Sequence, residues 1–287
     1  MSDKDTLFVF CADTHCGSTL GLMKPEPFNL FDGGTYNPSP AQNVIWRTWA
    51  DAWEKVKDAR KGKRLIVVHV GDAVEGFHHE TTETVSTRTE DHEEIHIECM
   101  DWALNKSNFD DGKGDALYYI SGTEEHVGRG SSSEERVAKQ FDGIVPMNDS
   151  RFTWNVIRKE INGVLFDISH HGASAGGGNA VNEGNSLRNR IKNIYTDCLD
   201  AGYAIPRYWI RAHVHQYITE THTGGQGTIT GIILPSFQLK TGYVYKRMNN
   251  RYKANDIGVV SVAVYKNGLS EADAHILKYD QDRVGEW

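Results

Sequence analysis

A chain of 287 residues, 39% hydrophobic and 24% charged, has the make-up of an ordinary globular protein, with room for one large domain or two small ones. No apolar run approaches the roughly 18–20 residues of a membrane span, which excludes a transmembrane helix. A formal net charge of −8 argues against broad electrostatic capture of nucleic acid, though a local basic patch stays compatible with it.

The first five residues are polar and acidic, and the apolar run 7–12 is too short for a signal-peptide core, so a cytosolic protein is expected. That run reads instead as a buried strand ending at Asp13. A Gly-, Pro- and Asn-rich loop fills 17–40, followed by a helix over 41–60 whose Ile45, Trp49, Ala52/Trp53 and Val56 form one apolar stripe. Trp46, Trp49 and Trp53 read as its core packing. A second buried strand, 65–70, ends at Gly71-Asp72. Loop 76–88 leads to a helix over 89–106 with acidic residues in its first turn. A third strand, 116–120, stops just before Gly122. Ser131 to Ser133, followed by Glu134 and Glu135, resembles a capping box opening a short helix to Phe141.

Strands over 152–160 and 164–169 are joined by Asn162-Gly163, a strong hairpin signal, and the second ends at His170. The glycines at 176–178 have no following Lys-Ser/Thr, so they form no phosphate-cradling P-loop. A helix over 183–199 and a strand over 208–212 ending at His213 come next. Short strands follow at 217–221, 228–234, 258–265 and 274–279. The four cysteines, Cys11, Cys16, Cys99 and Cys198, contain no Cys-x-x-Cys pair, which excludes a zinc ribbon. Cys11 and Cys16 read as small buried hydrophobes.

The chemistry sits at strand ends. Asp13-Thr-His15 and His213-Val-His215 each place two metal-binding side chains one residue apart, and side chains at i and i+2 of a strand point the same way. Between them lie Gly71-Asp72, Gly122-Thr-Glu-Glu-His126 and His170-His171-Gly172. Sites in open α/β sheets form at the carboxyl ends of strands. Thirteen histidines, many of them in these strings, favour metal chemistry. Mixed carboxylate and imidazole donors suit Mn, Fe, Zn or Ni better than Ca. About seven donors are too many for one tetrahedral ion and fit two, which at about 3.5–4 Å can share a carboxylate and a water.

In this order the strings resemble the calcineurin-like metallophosphoesterases, over roughly residues 7–235. The resemblance implies an α/β fold, a four-layer α/β/β/α sandwich with two mixed β-sheets. One domain is expected over 1–287, with the strands of 236–287 completing the second sheet. The resemblance further implies two divalent metal ions (Mn, Fe, Zn or Ni). Asp13, His15 and His215 would serve one ion, His170 and His213 the other, and Asp72 would bridge. A phosphomonoester or phosphodiester would be hydrolysed by metal-bound hydroxide, with Asp72 and His15 at the catalytic centre.

Two motifs depart from the family. Its third block usually reads Gly-Asn-His followed by an acidic residue, the Asn a metal ligand and the His an aid to the leaving group. Here no Asn is present, so His126 is expected to keep the acid or substrate-contact role and Glu124 or Glu125 to replace the Asn. The last block usually begins Gly-His, and here Ala212 precedes His213. His170, directly after its strand, is the preferred ligand, with His171 as the alternative. His78 and His79 either line the substrate pocket or are exposed loop histidines.

The stretch 240–253 carries five cations, three tyrosines and no acid, a mixture that binds nucleic-acid backbones and bases. Lys246, Arg247 and Arg251 are its candidate substrate contacts, and a solvated basic turn is the alternative reading. The favoured function is a phosphodiesterase or nuclease acting on a nucleic acid or nucleotide. A protein or small-molecule phosphatase also fits the acidic net charge. A catalytically weak binding or scaffold relative is the contrasting class.

Overall fold

Every side chain of strand β1 (Thr6–Cys11) is buried, yet successive ones enter different cores. Leu7, Val9 and Cys11 pack among helices, whereas Phe8 and Phe10 pack against a second sheet. A strand buried on both faces requires cover on both, and this two-residue alternation sets the layering of the molecule.

The computed structural model describes residues 4–78, 81–172, 174, 182–242, 244 and 254–277. After β1 come the small hairpin β2 (Phe28–Asn29) and β3 (Thr35–Tyr36), α1 (Pro40–Arg60), β4 (Arg64–Val70) and α2 (Thr89–Lys106). Then follow β5 (Ala116–Ile120), α3 (Glu124–Val127), α4 (Ser132–Ala138), β6 (Thr153–Trp154), β7 (Ile157–Ile161) and β8 (Val164–Ile168). The chain continues through α5 (Asn185–Ala201), β9 (Tyr208–Arg211), β10 (Ile218–Gly224), β11 (Gly227–Ile233), β12 (Gly258–Val264) and β13 (Ser270–Ile276).

The first sheet has the order β13-β12-β1-β4-β5-β6, with β1, β4, β5 and β6 parallel, β12 antiparallel to β1 and β13 antiparallel to β12. The second has the order β10-β11-β9-β8-β7, parallel through β8, β9 and β11 and antiparallel at both edges. Residues of α1, α2 and α4, among them Trp49, Trp53, Met100 and Val137, cover the outer face of the first sheet. Leu187, Ile191 and Tyr195 of α5 cover the second sheet through Trp209, Ile229 and Ile233. The result is an α/β sandwich of two mixed sheets between helices, as expected. No helix among the described residues is long and apolar enough to cross a membrane.

Helix α1 begins with a capping box. Ser39 Oγ accepts from the Gln42 backbone N–H at 3.1 Å, Gln42 Oε1 accepts from the Ser39 N–H at 2.8 Å, and Pro40 takes the first helical position. The Asn162-Gly163 hairpin forms as expected, with φ of 49° and 79° suited to a type I′ turn.

Four local expectations are corrected. The strand expected over 152–160 is two strands: β6 finishes the first sheet and β7 opens the second, so the chain changes sheets at Asn155-Val156. The C-terminal strands do not complete the second sheet. β12 pairs antiparallel with β1 and extends the first, while the neighbours β10 and β11 complete the second. No capping box opens α4, because Ser131 sits at φ 57° and makes no side-chain cap. The carboxylate of Glu135 instead accepts from Phe152 and Thr153, and that of Glu134 from Ala73 and Gly122. The final strand starts at Ser270 rather than near 274. The glycines at 176–178 lie outside the described residues.

Between the sheets, the Phe166 ring lies 4.4 Å from that of Phe8 and stacks on Tyr208 at 5.3 Å. Phe166 is fully buried at the centre of this layer. Phe166→Ala is expected to lower unfolding free energy by about 3–5 kcal/mol in urea denaturation. A loss under about 1 kcal/mol would show that these rings do not carry the contact between the sheets.

Candidate metal centre

The carboxyl ends of β1, β4, β5, β8 and β9 converge, and each runs into one of the motif strings. Chain reversal there is tight. Asp13, His15, Asp72, His213 and His215 have φ of 50°, 42°, 53°, 71° and 57°. This left-handed region is unfavourable for residues with a Cβ, and such strain collects at functional sites. The turns are held by backbone bonds between motifs: Asp13 N–H to Gly71 O at 2.9 Å and His15 N–H to Asp72 O at 3.1 Å. Two glycines are required by close approach. A Cβ at Gly71 would lie 2.4 Å from His170 Nδ1, and one at Gly122 would lie 2.4 Å from Asp72 Oδ1.

On one side of the cluster stand Asp13, His15 and His215. His215 Nε2 lies 3.2 Å from Asp13 Oδ1 and 3.2 Å from His15 Nε2. His15 is oriented by Glu75, whose Oε2 faces its Nδ1 at 2.9 Å. Gln238 Nε2 donates to the same Glu75 oxygen at 2.8 Å. On the other side stand His170 and His213. His170 Nδ1–H donates to Val70 O at 2.7 Å, which fixes the ring's orientation and turns Nε2 to Asp72 Oδ2 at 3.1 Å. Asp72 lies between the two sides, with Oδ2 also 3.9 Å from His15 Nε2 and 3.9 Å from His213 Nδ1.

The electrostatics follow from burial and pairing. Burial alone would raise the carboxyl of Asp72, but His170, His213 and His15 outweigh it and hold it well below the usual carboxylate range. Asp13 is lowered in the same way against burial, chiefly by His215. Burial opposes the charged form of His15, yet the hydrogen bond and charge of Glu75, helped by Asp72 and Asp13, raise it to about 9. His170 is raised against burial to about 10 by Asp72. His126 goes the other way: burial and repulsion from His15 push it down to about 4.

The donor atoms of Asp13, His15 and His215 lie within 4.8 Å of one another, as do those of Asp13, Asp72 and His170 and those of His170, His171 and His213. Asp13 Oδ1 is buried without a hydrogen bond of acceptable geometry, although two imidazoles face it. An orphaned buried carboxylate oxygen ringed by imidazole nitrogens is what a divalent cation would satisfy, and oxygen and nitrogen donors in this mixture suit a transition ion.

Asp13, His15, Asp72, His170, His213 and His215 are therefore brought together as the sequence suggested. His170 is the buried member of its pair, and His171 is exposed beside it. Glu124 is corrected. It opens α3, is exposed, and faces the Gly130 N–H at 3.4 Å; Glu125 is also exposed. Thr123, the residue directly after Gly122, occupies the inner position. Its Oγ1 donates to Asp72 Oδ2 at 3.2 Å and lies 3.3 Å from both His170 Nε2 and His213 Nδ1. Its position after the glycine was the available signal, obscured by the stronger metal affinity of the glutamates that follow. Glu75, Glu134, Gln238 and Asn255 support the cluster and were not singled out. Asn255 Nδ2 approaches His215 Nδ1 at 3.1 Å. His78 turns inward, with Nε2 3.1 Å from Glu75 Oε1. His79, Lys246, Arg247 and Arg251 lie outside the described residues.

No protein-family model and no curated protein matches the chain. Among solved structures, a Streptococcus pneumoniae protein described as a predicted phosphoesterase aligns over 96% of this chain and 99% of its own, at 10% identity and a TM-score of 0.33. A Thermotoga maritima protein aligns over 95% of this chain and 99% of its own, at 9% identity and 0.36. Sulfate thiohydrolase SoxB from Thermus thermophilus aligns over 96% of this chain and 56% of its own, at 11% identity and 0.43. At these similarities no residue's role carries over. The two mixed sheets, the outer helices and the strand-end Asp/His cluster rest on this chain's own geometry.

His15 and His170 keep their protons in the metal-free protein up to about 9 and about 10. Their pairing stabilises the metal-free fold fully below the free-imidazole value of about 6.5, and that contribution is lost as pH rises through 9 to 10. A metal requires neutral imidazoles, so binding at pH 7.5 should expel about two protons and tighten as pH rises. Calorimetry in buffers of different ionisation enthalpy reads this directly. A proton count near zero would contradict the charged pairing.

Proposed function

We propose that this centre holds two divalent metal ions and that the protein is a metal-dependent phosphoesterase acting on phosphodiesters in preference to monoesters. The observation that carries the reading is the Asp72 carboxylate, buried and facing His15 on one side and His170 and His213 on the other. One carboxylate addressed to two donor sets is the arrangement a shared bridge needs. Asp13, His15 and His215 would hold one ion, and His170 and His213 the other. Bound there, the ions would acidify a water and offset the charge that builds on a phosphoryl group.

The chain's own groups have distinct tasks. Glu75 and Val70 O fix the rotamers of His15 and His170, so that Nε2 of each is presented to the centre. His126 stands with its ring 4.6 Å from that of His15 and donates Nδ1–H to Glu75 O at 2.9 Å, leaving Nε2 for substrate. Its lowered pKa keeps it neutral at pH 7 in the free protein. The negative charge of an arriving phosphoester favours the protonated form, which can then give its Nε2 proton to the leaving oxygen.

Hydrolysis of bis-p-nitrophenyl phosphate with manganese and zinc supplied together, measured beside p-nitrophenyl phosphate, tests the reading. The diester is expected to be cleaved faster, and Asp72→Asn is expected to cost on the order of a thousandfold in kcat/KM. His126→Ala should lose turnover while metal content stays unchanged. Cleavage of neither ester with any divalent ion would favour the scaffold reading, and a faster monoester a phosphatase.

The finer part of the proposal is nucleic acid as the diester, a cytosolic setting and manganese as the ion of the Asp13, His15 and His215 half. The support for nucleic acid is the basic–aromatic stretch 240–253 in an otherwise acidic chain. A salt-dependent mobility shift with single-stranded DNA is expected, weakened when Lys246, Arg247 and Arg251 are neutralised together. Binding unaffected by that triple change would remove this stretch from the substrate site.

A further inference from the structure

We propose that the second half of the metal centre is a three-imidazole site, in which His171 joins His170 and His213 and makes it selective for a nitrogen-preferring ion of the zinc class over manganese. This rests on the two-ion reading above and concerns what the third motif fails to supply. Thr123 offers a neutral hydroxyl that already donates to Asp72 Oδ2. A hydroxyl is a weak donor to a divalent ion beside a carboxylate or imidazole, and Glu124 is turned to solvent. Without another donor this half would hold its ion through Asp72 and two imidazoles alone.

The local backbone supplies the third. Consecutive residues of an extended strand point to opposite faces, so adjacent histidines would ordinarily not meet at one point. Here β8 ends at Ile168 and the chain bends through 170–172. Ser169 Oγ donates to His171 O at 3.1 Å across the bend, and Gly172 follows at φ 105°. The bend places the His171 ring 4.6 Å from that of His170 and 4.8 Å from that of His213, with 5.2 Å between the latter two. The three rings form a triangle whose donor nitrogens lie within 4.8 Å of one another.

Two of the three positions are held in advance, one through its ring and one through its main chain. His170 is buried and bonded to Val70 O, and the His213 backbone N–H donates to Asp13 Oδ2 at 3.1 Å. His171 and His213 are both exposed, so the open side of the triangle is reached from solvent. The two halves then differ in kind. Asp13, His15, His215 and Asp72 give equal numbers of carboxylates and imidazoles. His170, His171, His213 and Asp72 give three imidazoles to one carboxylate. Imidazole suits Zn, Fe, Ni and Cu, whereas oxygen-rich sets suit Mn and Mg, so the halves should sort a mixture of ions.

The test uses the full-length metal-free protein titrated with zinc and separately with manganese, with stoichiometry read by calorimetry and elemental analysis. Wild type is expected to bind two zinc ions, and manganese tightly at one position only. His171→Ala should weaken one zinc step by roughly tenfold or more and leave the manganese step unchanged. Adding Thr123→Asn to His171→Ala should restore part of the lost zinc affinity, because an amide oxygen then faces the same position. His171 is exposed, so its loss is not expected to unfold the protein. Two zinc steps unchanged in His171→Ala would overturn this inference and leave the two-ion reading standing. Fewer than two ions of any kind in wild type would overturn both.

Discussion

Two carboxylates, Asp13 and Asp72, are buried side by side, and the rest of the molecule is arranged to make that tolerable. An ionised carboxylate taken out of water is costly unless charge and hydrogen bonds replace the solvent. Here the replacement comes across the sandwich. Both carboxylates follow strands of the first sheet, β1 and β4, while His170, His213 and His215 follow β8 and β9 of the second. The apolar layer of Phe8, Phe10, Phe166, Tyr208 and their neighbours presses the sheets together, and at its edge anions of one sheet meet imidazoles of the other. Hydrophobic packing and charge pairing therefore depend on the same alignment. A shift of one sheet against the other would uncover both.

The turns that deliver these groups are strained, and each is bound to its neighbour. Besides the two bonds between the first and second motifs, Phe237 N–H donates to Asp13 O at 2.9 Å and Asp256 N–H to His215 O at 3.0 Å. Glu134 adds a clamp behind Asp72, accepting from Gly122 N–H at 2.8 Å and Ala73 N–H at 3.3 Å. Burial, with repulsion from Asp72, raises its carboxyl to about 8. A group mostly protonated at neutral pH can sit there without adding a third negative charge. The strain is thus held by a mesh of backbone bonds rather than by any one contact, which is the usual condition for strained residues to persist.

Much of this was legible because both periodicities are strong. Continuous apolar runs ending in Asp or His announced β1, β4, β8 and β9, and the Ile45/Trp49/Trp53 stripe announced α1. What failed to show were features that depend on partners far away in the chain. Nothing local marks the crossing from β6 to β7, because the sequence 152–160 is strand-like throughout and only the two sheets' separation divides it. Nor does composition say that β12 will pair with β1. Glu134 looked like a capping residue because its true partners, Ala73 and Gly122, lie well upstream. At the third motif, chemical affinity favoured Glu124, whereas the α3 turn, which begins immediately after Thr123, decided the matter by pointing the glutamates outward.

The residue between the ligands of the first motif shows how far the support extends. Thr14 Oγ1 donates its single proton to Ala73 O at 2.8 Å. It therefore can only accept from His69 Nε2 at 3.2 Å and from His96 Nδ1 at 3.1 Å. His69 is then the Nε2–H tautomer, which accounts for its buried Nδ1 having no hydrogen-bond partner. Burial, with repulsion from His170, holds its pKa well below the ordinary histidine value, as a neutral ring requires. His96 keeps its proton on Nδ1 and accepts from the Tyr119 hydroxyl at 2.9 Å. The side chain of Thr14 is drawn into this network beneath the sheet end, so its neighbours Asp13 and His15 must face the other way, into the centre. A Thr between Asp and His is thus no passive spacer, because its three hydrogen bonds fix which side of the chain the ligands occupy.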